Sequence, residues 1–119
     1  MNKEFIPYEQ ALELKKIEFD EPCFGYYIET KEWIPASYSQ KGTIYPSNSD
    51  LINGWVSSPL YQQAFKWLYK ITKKWIIPIP NDDKDGEWYA VGVSYKTYEE
   101  AELACLRKQI EIVKSMNKN

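Results

Sequence analysis

The sequence predicts a single α+β domain: a small antiparallel sheet built from two hairpins, with three helices packed on it. Three helix openings of similar composition carry the helical part, Tyr8-Glu9-Gln10-Ala11-Leu12, Tyr61-Gln62-Gln63-Ala64-Phe65 and Tyr98-Glu99-Glu100-Ala101-Glu102. Two stretches rich in aromatic and β-branched residues, each folded around a polar turn, supply the strands. The order helix, hairpin, long loop, helix, hairpin, helix is satisfied most economically by helices gathered on one face of the sheet. The 119 residues contain no Gly/Ser tract or charge block to divide them, so one domain is expected over 1–119.

The first helix is expected near 8–17, with Pro7 at the first helical position, where a missing N–H costs nothing. Cys23 to Ile28 and Trp33 to Ala36 form the first hairpin around Glu29-Thr30-Lys31-Glu32. The second helix is expected at 59–72, with Ser58 as its cap and Pro59 opening it. At about 100° per residue it gathers Leu60, Ala64, Phe65, Leu68 and Ile71 on one side. Lys74 to Ile79 and Glu87 to Tyr95 make the second hairpin, and Asn81-Asp82-Asp83-Lys84-Asp85-Gly86 is its turn, with Gly86 suited to positive φ. The Asp spacing there is that of an opening calcium loop. The distal Glu is missing, so the cluster reads as a solvated turn and no metal site is assigned.

The third helix is expected at 98–115, where Thr97 and Glu100 fit a capping box. Leu103, Leu106, Ile110 and Val113, beside Ala101, Cys105 and Ile112, make it apolar over about half its circumference. Such a helix is expected between the sheet and another helix or subunit, which predicts a homo-oligomer. The three Tyr-Glx-Glx-Ala openings are unequally spaced, so they read as good helix-opening composition rather than as a repeat.

Composition restricts function more than any motif does. Aromatic residues make up 16% of the chain, with five Trp and ten Tyr, yet His is absent and Arg107 is the single arginine. The usual near-neutral acid/base and the commonest metal ligand are therefore missing, while large rigid surfaces with polar tips are plentiful. Binding is favoured over catalysis, and no catalytic residue or cofactor is assigned. A net charge of −2 with one Arg argues against duplex nucleic acid. Cys23 and Cys105 lack CxxC spacing and His partners for zinc, and both are expected reduced. No apolar run approaches the roughly 20 residues of a membrane span, so no membrane partner and a cytoplasmic location are expected.

Two places stand out as candidate sites. Glu102 and Gln109, seven residues apart, fall within the apolar half of the third helix, where an unpaired carboxylate costs several kcal/mol. Either Glu102 meets a Lys or a Tyr hydroxyl at the core edge, or the pair faces a ligand; as a general base, Glu102 would give a hydrolase without His. The connection Ser37 to Ser57 is long for a small domain and interleaves Tyr38, Tyr45 and Trp55 with Lys41 and Asn48. These side chains suit the stacking of a ring, with Lys41 near a phosphate, which points to a small anionic, nucleotide-like ligand. The same aromatics suit a protein interface, and the remaining alternative is that Tyr45 and Trp55 fold back as a satellite core.

Three blocks, Phe19-Asp20-Glu21-Pro22-Cys23-Phe24-Gly25-Tyr26, Pro59-Leu60-Tyr61-Gln62-Gln63-Ala64-Phe65-Lys66-Trp67 and Tyr98-Glu99-Glu100-Ala101-Glu102-Leu103-Ala104-Cys105-Leu106, resemble a family of small uncharacterised proteins of tailed phages and bacterial prophages. With Ile6 to Ala11 and Ile110 to Lys114 the resemblance covers roughly half the chain. It implies an accessory protein of the host cytoplasm that occupies a host component, a small nucleotide or a host protein, without catalysis.

Overall fold

Pro7 fixes the entry to helix α1 (Tyr8–Lys16): its φ of −61° and ψ of 158° are extended, and its carbonyl accepts the Ala11 N–H at 2.9 Å. It sits just before the helix rather than at its first position. The computed structural model describes residues 4–39 and 42–117, which fall into two compact units, Met1–Ala64 and Phe65–Asn119. The chain is α+β, with three α-helices and short antiparallel strands among the described residues. The strands form two three-stranded sheets and a two-stranded ribbon rather than one sheet.

In the first unit, β1 (Gly25–Tyr27) and β2 (Trp33–Pro35) make the expected hairpin, with Lys31 at a positive φ of 70° in its turn. The following stretch is not a structureless connection. It contains a ribbon of β3 (Ser37–Ser39) and β4 (Gly42–Ile44), a 3-10 turn (Asn48–Asp50) and a strand, β5 (Val56–Ser58), that pairs with the other edge of β1. Ser58 therefore lies opposite Gly25 in a sheet, two residues short of helix α2 (Tyr61–Thr72), and does not occupy the capping position.

Alternation decides the two faces of this sheet. Gly25 and Tyr27 point inward; Phe24 and Tyr26 point out. On the inner face the Trp33 ring lies over Gly25, where a Cβ would meet it at 2.4 Å, and Phe5 packs on the same indole at 4.8 Å. Only glycine allows that approach. Tyr27 buries its ring against the edge of Tyr8 and donates its hydroxyl to the Ile6 carbonyl at 2.7 Å. α1 packs against β5 and contributes Ala11 and Leu14 to the buried set, beside Ile6, Phe19 and Val56.

The second unit holds β6 (Ile79–Pro80), β7 (Trp88–Ala90), β8 (Val93–Tyr95) and helix α3 (Tyr98–Met116). The expected strand 87–95 is two strands, because the chain turns at Val91 (φ 53°) and Gly92 (φ 79°). Two successive positive φ values mark the tight hairpin turn whose twist matches its strands. A valine there is strained, which is why the turn is hard to read from sequence. The Thr97 hydroxyl caps α3 by accepting the Glu100 N–H at 3.1 Å. α3 packs on β7 and β8 and buries Ala101, Cys105, Leu106, Ile110 and Val113.

Candidate aromatic binding surface

The outward positions of β1 assemble four rings into two pairs. Phe24 meets Tyr45 edge to face, with centroids 5.3 Å apart, and Tyr26 stacks on Trp55 at 5.3 Å and 16°. Phe24 and Tyr45 stay 51% and 45% exposed, and Ile44, next to Tyr45 in the chain, is 59% exposed. Tyr26 and Trp55 are half-buried. Trp55 reaches its position at the start of β5, where the Lys15 ammonium donates to its carbonyl at 3.0 Å and its indole N–H donates to the Glu29 carboxylate. One face and the polar edge of Trp55 are thus engaged within the unit.

Polar residues from Ser47 to Ser57 act as fasteners within the first unit. The Asn48 amide donates to the Phe19 carbonyl at 2.7 Å while its oxygen accepts the Ser57 N–H at 2.8 Å, which spends both ends of the side chain. Ser47 and Asp50 close the 3-10 turn reciprocally. Asp20 accepts the Ser49 N–H at 2.7 Å, and that bond holds its carboxyl below the usual range. Of the sequence-predicted site residues here, the structure brings Tyr45 and Trp55 onto one side of β1 with Phe24 and Tyr26. Tyr38 pairs with Thr43 through the backbone of the ribbon, and Lys41 lies outside the described residues.

Sequence reasoning missed Phe24 and Tyr26: it read Cys23 to Ile28 as a hairpin strand and assigned no site residue there. The signal was available: in Phe24-Gly25-Tyr26-Tyr27 one alternate set must face out, and the glycine marks the crowded side.

The α3 pair resolves differently. Gln109 is buried, and its amide donates to the Thr72 hydroxyl at 2.9 Å and to the Lys74 carbonyl at 2.8 Å, tying the end of α2 to α3. Glu102 follows Tyr98 by one helical turn; burial, then this carboxylate, pushes the Tyr98 hydroxyl up, while Trp88 packs edge to face on the same ring at 5.0 Å. Cys105 on that side is buried and its thiol is pushed up to about 11, first by desolvation and then by Glu102. Burial likewise pushes Cys23 up to about 12. Both thiols stay protonated at neutral pH, the inert state of a small buried hydrophobe.

A cleft of about 380 Å³ lies at the 81–87 turn, lined by Asn81, Asp82, Asp85, Glu87 and Trp88. Its Asn81 and Glu87 are both bonded to Ser94, at 3.0 and 2.7 Å, so they brace the turn. Among the described residues no group of three His, Cys, Asp or Glu is placed to hold a metal ion, and no helix is long and apolar enough to cross a membrane. Comparison with protein-family models, with curated proteins and with solved structures gave no match.

Proposed function

We propose that this chain is a non-enzymatic binding protein whose aromatic platform, Phe24, Tyr26, Tyr45 and Trp55, anchors a protein partner. The observation that carries the reading is the exposed Phe24–Tyr45 pair, at 51% and 45%, on the outer face of a strand whose inner face is tightly packed. Rigid aromatic side chains bring large contact area at low entropic cost and dominate protein interfaces. The family resemblance implies a host component, held rather than altered; the platform favours a polypeptide as that component.

A nucleotide-like ligand is the less favoured occupant. Tyr26 already fills one face of Trp55, the Glu29 carboxylate stands at the indole edge where a phosphate would be repelled, and the Asn48 amide has both ends engaged. Native mass spectrometry of the protein purified from the cells in which it acts separates the two. A retained polypeptide that is lost in Phe24→Ala and Tyr45→Ala supports the proposal. A retained mass of a few hundred daltons, or a polypeptide held equally by both variants, contradicts it.

A further inference from the structure

We infer that the outer face of the second unit's sheet is a self-complementary interface, and that its occupant is a second copy of this chain. Exposure alternates along the extended segment before and into β6: Trp75, Ile77 and Ile79 are 54%, 52% and 60% exposed, while Ile76 and Pro78 between them are half-buried. Ile79 is the direct partner of Tyr89, itself 40% exposed, so the stripe continues onto β7 on one face of the sheet. An apolar stripe of this length, unbroken by charge, is what interfaces expose when unoccupied.

Its ends identify the occupant. The stripe begins at exposed Lys73 and Lys74 and ends at exposed Asp82, Asp83 and Asp85, where Lys84 is the one opposing charge. A strip that is basic at one end and acidic at the other fits itself when a copy runs antiparallel across a two-fold axis, as an isologous contact requires. With the axis near Pro78, the Lys73–Lys74 end of each copy faces the Asp82–Asp83 end of the other, about 25 to 30 Å along the chain at roughly 3.3 Å per residue. The contact uses the face and not the strand edge. The Asn81 N–H bonds inward to Glu87 at 3.0 Å, so by alternation the donor-less nitrogens of Pro78 and Pro80 point outward and block strand addition. The apolar half of α3, from which the sequence predicts association, is spent on buried contacts and offers no comparable stripe.

Sedimentation velocity at micromolar concentration tests the inference. The chain is expected at twice its 14.1 kDa mass, and Ile77→Asp is expected to weaken association at least about tenfold with an unchanged circular dichroism spectrum. The charge argument has its own readout: Lys73→Glu/Lys74→Glu and Asp82→Lys/Asp83→Lys should each be monomeric and should form a dimer when mixed. A 14.1 kDa wild-type species, an Ile77→Asp dimer of undiminished affinity, or reversed variants that stay dimeric alone would each overturn it.

Discussion

Aromatic side chains on the outer face of β1 and polar side chains on the inner side of α3 are both unexpected for their positions, and the structure treats them in opposite ways. Beside β1, Phe24 and Tyr45 meet each other and remain about half exposed. On α3, Gln109 is buried and both amide hydrogens are used, on Thr72 and Lys74. Those two bonds make Gln109 a structural tie, although its buried side-chain oxygen finds no hydrogen-bond partner among the described residues. An aromatic surface left open has no such internal explanation, and that asymmetry is the ground for placing binding on the first unit.

The largest effect expected from breaking this contrast is at Gln109. Gln109→Ala leaves a cavity and removes the amide's donation to the Thr72 hydroxyl and the Lys74 carbonyl, so urea unfolding should show a loss of about 2–4 kcal/mol. If Gln109 were held for a ligand, the substitution would leave stability nearly unchanged. Next comes the support under the platform. Gly25→Ala drives a methyl into the Trp33 ring, on which Phe5 also packs, and overpacking of that kind costs about 1–3 kcal/mol by the same measurement.

The buried thiols give a smaller, pH-dependent signature. Their folded values, about 12 for Cys23 and about 11 for Cys105, lie above the ordinary 9.0, so the native state keeps protons that the unfolded chain releases. This contribution is intact below pH 9 and is lost as the pH rises through 9 toward 11 and 12; burial of the Tyr27 hydroxyl adds in the same direction. Stability measured from pH 8 upward should therefore fall, and the fall should be shallower in Cys23→Ala.

The helices were legible because capping residues and 3.6-residue periodicity are local: α1 at 8–16 and α3 at 98–116 differ by one residue from the ranges expected. β5 was not. It is three residues, Val56–Ser58, with no alternation of its own, and it exists because β1 pairs with it. The β7–β8 turn was hidden by a valine in a conformation that valine disfavours. Tyr45 and Trp55 stood out by composition, whereas the rings that receive them, on Phe24 and Tyr26, depend on which face of β1 the Trp33 ring covers. That is a long-range packing fact. Asn48 and Gln109 were noticed as polar groups in suggestive places, but their partners, Phe19, Ser57, Thr72 and Lys74, are set by tertiary structure.

The platform's standing as a surface rather than a satellite core is tested most directly by the unfolding free energy of Phe24→Ala. A ring that is 51% exposed and held by one edge-to-face partner should cost no more than about 1.5 kcal/mol when removed, with the circular dichroism spectrum unchanged. A loss of about 3–5 kcal/mol, the range for truncating a buried phenylalanine, would show that Phe24 and Tyr45 hold the first unit together, and the binding surface would have to be sought elsewhere.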